Sequence, residues 1–183
     1  DRGLWLIDLA RGLETKFTLE PSDEMQPVWS ADSRLVSYSS DTRGPFNVFV
    51  KPADRSQAGD LPVEAPEDRH PLDWSPDGKR LLVRLFNSGG ARYSSVAVLD
   101  LAARTETEWL KREGHVLEAR FSPSGDWVAY VSAESGRAEV YAPPFPGPGE
   151  QVQVSIRGGH QPHFRRDGRE LIYQAPDGEL MSV

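Results

Sequence analysis

The residues best suited to chemistry are four histidines and three arginines at matching points of a recurring pattern. His70 stands four residues before Trp74, His160 four before Phe164 and His115 six before Phe121, while His163 closes the stretch "HQPH". Imidazole nitrogens gathered in one place would bind a transition metal. The competing assignment is that each ring hydrogen-bonds its own connecting segment. No acidic residue recurs beside these histidines at a metal-ligand spacing, so no metal is expected. Arg43, Arg92 and Arg137 fall in three similar segments, "DTRGPF", "NSGGARY" and "ESGRAE". Guanidinium forks pair bidentately with carboxylates and phosphates, so three of them on one rim would receive such groups. The alternative is that each pairs with a nearby acid such as Asp41 or Glu134, a surface contact of small value. Serine, histidine and aspartate are present, but no G-x-S-x-G elbow is. The expectation is a chain that is not an enzyme, with no catalytic residue and no cofactor.

The elements that must position these side chains follow from a repeat. "WSADS" at Trp29, "WSPDG" at Trp74, "FSPSG" at Phe121 and "FRRDG" at Phe164 are spaced by 45, 47 and 43 residues. A period near 45 without helical patterning is what a four-stranded propeller blade requires. In each copy the aromatic closes a first, inner strand. A turn follows, carried by Asp32, by Pro76-Asp77-Gly78, by Pro123 and Gly125, and by Asp167-Gly168. Second strands are predicted at 35–40, 80–86, 127–132 and 170–175, and third strands at 47–52, 95–101, 139–144 and 179–183. Outer strands are predicted at 16–19, 61–64, 105–110 and 152–156. "LWLIDL" (4–9) reads as one more third strand. No window keeps an amphipathic helical period, so almost no helix is expected.

The chain therefore divides into a half blade (1–20), three blades (21–66, 67–111 and 112–157) and a partial blade (158–183), forming one all-β segment. It begins with Asp1 rather than Met and opens mid-blade, which suggests a piece of something longer. A six-bladed ring at this period needs roughly 270 residues, so an arc of a six-bladed or larger ring is expected. Each repeated aromatic should pack between neighbouring blades, where burial is worth roughly 1.5–3 kcal/mol. A feature present in every blade serves architecture.

Composition narrows the function. The net charge of −7 speaks against a nucleic-acid footprint. No stretch approaches 18 apolar residues, so direct membrane insertion is not expected. With no cysteine, disulfides and thiolate chemistry are excluded.

The stretches "PVWSADSRLVSYSS", "LDWSPDGKRLLVRL", "ARFSPSGDWVAYVS" and "PHFRRDGRELIYQA" resemble TolB-like, WD40-like Pro-Asp β-propeller repeats. The resemblance spans nearly the whole chain. It implies a propeller of antiparallel blades that binds or scaffolds. The family includes periplasmic propellers that hold partner proteins, non-catalytic propellers of prolyl-oligopeptidase and tricorn-type proteases, and segments attached to bacterial kinases and regulators. With its "PFPGPG" run this chain looks most like the last group. Ser124 stands where Asp is usual and Arg165-Arg166 where Ser-Pro is usual, so looser turns are expected there. Three roles follow as expectations: docking of a protein, peptide or small ligand at the His- and Arg-bearing channel mouth; substrate gating for a peptidase whose catalytic domain is absent; or an arc that completes a ring by self-association. An extracytoplasmic location is favoured by the likeness to periplasmic propellers.

Overall fold

A computed structural model describes residues 2–86, 94–111, 115–147 and 152–183. Fifteen strands and no helix lie among them. The strands form five antiparallel sheets. A half blade comes first, β1 (Trp5–Asp8) with β2 (Leu13–Lys16). Blade I is β3 (Glu24–Trp29), β4 (Leu35–Ser40) and β5 (Asn47–Pro52). Blade II has four strands, β6 (Arg69–Trp74), β7 (Arg80–Phe86), β8 (Ser94–Asp100) and β9 (Thr105–Lys111). Blade III is β10 (Val116–Phe121), β11 (Val128–Ser132) and β12 (Glu139–Tyr141). Blade IV is β13 (His160–Phe164), β14 (Leu171–Gln174) and β15 (Leu180–Ser182). The inner strands β3, β6, β10 and β13 are successive neighbours, and the resulting propeller arc is open.

The repeated turn explains the hairpin between first and second strands. In blade II the Ser75 hydroxyl donates to Asp77 Oδ1 at 2.6 Å and accepts from the Arg80 amide at 2.9 Å. Asp77 also accepts from the Lys79 amide at 3.1 Å, and Gly78 N donates to Ser75 O at 2.9 Å. Gly78 has φ 69°, a left-handed position that an L side chain resists. Blade I repeats the frame with Ser30 and Asp32, but Ser33 takes the glycine's place at φ 60°. Blade III substitutes a Ser122–Ser124 hydroxyl contact at 3.2 Å for the carboxylate bond, while its backbone bond from Gly125 N to Ser122 O stays at 2.9 Å. In blade IV the backbone frame survives without the serine, and Arg165 pairs with Asp167 and Glu170.

The core lies between blades, and three of the four repeated aromatics enter it. Trp74 packs with Val48 and Val50 of blade I, and its indole N–H donates to Val28 O at 3.1 Å. Phe121 packs with Leu72 and Leu82 of blade II, and Phe164 lies against Ala129 and Val131 of blade III. Each aromatic is thus a wedge into the preceding blade. Trp29 differs, being 49% exposed. The half blade before it supplies only an outer pair of strands, so nothing receives that indole.

The outer strands depart furthest from expectation. The one predicted at 16–19 forms earlier, at Leu13–Lys16. Those predicted at 61–64 and 152–156 shrink to single bridges, Val50 with Asp60 and Tyr141 with Gln153. A few backbone bonds remain, such as Ala142 N to Val152 O at 2.9 Å and Val154 N to Val140 O at 2.8 Å, and side chains supplement them. Asn47 exchanges two hydrogen bonds with Ala65, and the Ser155 hydroxyl accepts from Val140 N at 2.8 Å. Pro62 and Pro66 remove amide donors from the first of these segments.

Candidate functional site: the channel wall and its mouth

Strand register sets which residues share an end of the arc. His70 lies opposite Arg84 near the end of β7, Val116 opposite Ser132, and His160 opposite Gln174. The starts of the inner strands therefore lie at the same end as the second-to-third-strand loops that hold Arg43 and Arg137. His163 lies toward the other end of β13, opposite Ile172.

His70 is buried between the rings of Phe46 and Phe86, at 5.6 and 5.3 Å, with Nδ1 2.7 Å from the Ser39 hydroxyl. Burial, reinforced by the Arg84 charge, pushes its pKa below the usual imidazole range. Ser39 is wholly buried, and among the described residues no carboxylate hydrogen-bonds this ring, so the Ser–His contact packs blades I and II together. His115 is exposed and its carbonyl accepts from Ala133 N at 3.3 Å. His160 is half-buried and His163 exposed. Among the described residues no three His, Cys, Asp or Glu side chains form a metal-holding group.

Arg43 pairs with Glu64 at 3.7 Å, with both side chains mostly exposed. Arg137 is held more firmly, its Nε 2.6 Å from the buried carboxylate of Glu139 and its Nη2 2.6 Å from Ile156 O. These partners are not the Asp41 and Glu134 suggested by proximity in sequence. Arg92 lies outside the described residues. Glu139 also accepts from the Ser155 hydroxyl and from Gly158 N. Burial raises its pKa, but the Ser155, Arg137 and Gly158 contacts together hold it below the ordinary carboxylate range.

The channel wall is built from residues outside the repeated motif. Every inner strand carries a bulge ahead of its aromatic, seen as a register shift between Met25 and Val28, Pro71 and Asp73, Val116 and Glu118, and His160 and His163. A bulge re-aims side chains. Those of blades I to III line a cavity of about 260 Å³ with Gln26, Leu72, Arg84, Leu117, Glu118 and Arg120. Asp73 adjoins it and accepts from Phe121 N at 2.8 Å across the blade II–III seam. Burial pushes the Asp73 pKa up to about 6, against the lowering pull of that amide and of Arg120. The available signal was position: Val28, Asp73, Arg120 and His163 each immediately precede the repeated aromatic.

The described part of the proline-rich run is a connection tied to the fold. Phe145 packs edge-on against Phe121 at 5.1 Å, and Trp109 Nε1 donates to Pro146 O at 2.8 Å.

Solved structures share this arrangement. TolB from Acinetobacter baumannii superposes with a TM-score of 0.80 at 17% identity, over 98% of this chain and 45% of that one. This fixes the architecture. The fold is that of a TolB-like β-propeller. The nidogen/laminin complex gives a TM-score of 0.73 at 10% identity, over 99% of this chain and 67% of that one. A prolyl endopeptidase structure gives 0.68 at 14% identity, over 99% of this chain and 30% of that one. The chain thus spans under half the length of the Acinetobacter TolB it matches. No family model matches the sequence.

Proposed function

We propose that this TolB-like arc is a non-enzymatic binding or sensor module that docks a protein, peptide or small ligand at its channel mouth. The observation that carries this is the convergence, at one end of a rigid scaffold, of the inner-strand starts and the second-to-third-strand loops from successive blades. Polar loops on a rigid frame are where binding usually resides. Arg43, Arg92 and Arg137, with His70, His115 and His160, are the residues proposed to serve it; His163, toward the other end of β13, does not reach this mouth. His70 acts by holding the blade I–II seam. The compartment proposed is extracytoplasmic, on the likeness to TolB.

The test is selection of a displayed random-peptide library against the chain, followed by hydrogen exchange with the enriched peptide. Binding at the mouth predicts protection at the starts of β6, β10 and β13 and in the loops that follow β4 and β11. Protection confined to the outer strands, or no enrichment at all, contradicts it.

A second reading has the arc gate substrates for a peptidase, supported by the superposition on the prolyl endopeptidase. An α/β-hydrolase segment encoded in the same open reading frame would support it, and a kinase or DNA-binding domain there would exclude it. Self-association is a third reading, motivated by apolar side chains exposed toward both ends of the arc, Trp5, Ile7 and Leu13 at one and Leu180 and Met181 at the other. Light scattering decides it, because a clean monomer of 20.4 kDa removes it.

A further inference from the structure

We propose that the concave wall of the arc carries an oxyanion site formed by Arg84 of blade II and Arg120 of blade III. The proposal rests on the binding-module reading and names a ligand chemistry within the same channel. Both side chains line the cavity of about 260 Å³ between the bulges of β3, β6 and β10.

Reciprocal bonds hold the two guanidiniums beside one seam. Arg84 Nη1 donates across it to Leu117 O at 3.1 Å, and Arg120 Nη1 donates back across it to Leu72 O, with a second contact to Ala119 O at 3.2 Å. Arg84 is also set over the Phe86 ring at 4.5 Å, which fixes its plane. Each arginine commits one nitrogen to backbone carbonyls. Arg84 Nε is buried with no partner.

Among the described residues neither cation has a carboxylate within 4.0 Å. The contrast with Arg69 is instructive: that buried arginine of the same blade has two acids, Glu67 at 3.5 Å and Glu106 at 3.0 Å. Two cations line one cavity, with only the longer-range fields of Glu118 on Arg84 and of Asp73 on Arg120 and with guanidinium donors left over, an arrangement suited to an anion supplied from outside. A guanidinium fork suits a carboxylate or a phosphate, which share this chemistry. The cavity has room for about eight waters at roughly 30 Å³ each, so the bound group is small, or is the charged end of a larger ligand. Pro27, Val28 and Leu72 supply apolar walls. Two acids face the site: Glu118 lines the cavity, and Asp73 adjoins it with one oxygen on the Phe121 amide. Glu118 opposes a bound anion, and its neutralisation should tighten binding.

The test is NMR of arginine Nε–Hε groups while the chain is titrated with inorganic phosphate and, separately, with sodium acetate, at ionic strength held constant with chloride. Saturable shifts are expected at Arg84 and Arg120 at lower anion concentration than any at the exposed Arg43 and Arg137. R84Q or R120Q should weaken the apparent affinity at least tenfold, and E118Q should strengthen it several-fold. Response to phosphate alone identifies a tetrahedral oxyanion, and response to acetate a carboxylate. Non-saturating shifts spread over all arginines, or E118Q without effect, overturn the proposal. If R84Q and R120Q fail to fold, the wild-type and E118Q titrations decide it alone. Silent Arg84 and Arg120 signals beside peptide protection at the channel mouth would remove this site and leave the binding module standing. Saturable anion shifts without any enriched peptide would do the reverse.

Discussion

Replacing Asp73 with Asn should stabilise the chain at neutral pH and leave it unchanged in acid. The buried carboxyl titrates near 6, against 3.8 when unfolded. The folded chain therefore holds this proton more tightly, and the stability it confers is fully present below pH 3.8 and lost as pH rises through 6. A shift of about two pH units corresponds to roughly 3 kcal/mol. Asp73 is not fully enclosed, so water screens part of this, and on the order of 2 kcal/mol is expected. The Asn carbonyl can still accept from Phe121 N, so the seam bond at 2.8 Å is retained. Urea unfolding of both proteins at pH 4 and pH 7.5 measures the difference directly. D73N should lie within about 0.6 kcal/mol of wild type at pH 4 and exceed it clearly at pH 7.5. A variant less stable than wild type at pH 7.5 would refute the reasoning, because it would mean that the ionised carboxylate is matched by Arg120 and needed. D73A removes the acceptor as well and should lose about 1–3 kcal/mol relative to D73N.

Glu139 should behave in the opposite sense: its lowered pKa makes its contribution present above pH 4.5 and lost as pH falls further, so E139Q should be destabilised at pH 7 and converge on wild type in acid by the same titration. Trp74→Ala should cost about 3–5 kcal/mol in denaturant unfolding, as buried aromatics do, whereas Trp29→Ala should cost well under about 1 kcal/mol. At the repeated turn, Gly78→Ala should destabilise by about 1 kcal/mol and Ser33→Gly should stabilise by a few tenths to about 1 kcal/mol, because both positions have left-handed φ. Thermal unfolding distinguishes these signs.

The inner three strands of each blade were legible because their signals are local. An aromatic, a hydroxyl–carboxylate turn and an apolar run recur together, and each can be read without knowing its neighbours. The outer strands were less legible because two of them keep only a short backbone pairing that side chains supplement: Asn47 grips Ala65, and Ser155 takes the amide of Val140. The exposure of Trp29 could not be read from its own motif, since it depends on which strands the preceding blade supplies. The loops that hold Arg43 and Arg137 share an end with the inner-strand starts, yet their arginine partners, Glu64 and Glu139, come from outer segments or from the strand beyond. The pairing of Arg84 with Arg120 on one cavity is not legible in the sequence for a related reason. Arg84 lies on the second strand of blade II and Arg120 on the inner strand of blade III, so they come to one cavity only when the two blades are neighbours, and no spacing within either blade records that.

The organising claim is that the repeated aromatic wedges each blade onto the one before it. Fluorine NMR of the chain labelled with 5-fluorotryptophan tests this most directly, with its five signals assigned by single Trp→Phe changes. A wedge at Trp74 and an unreceived indole at Trp29 predict that Trp74 resists broadening by a soluble nitroxide and shows little D2O-induced shift, while Trp29 shows both strongly. Equal exposure of the two, or the reverse order, would contradict the propeller packing from which the channel wall and its binding role are built.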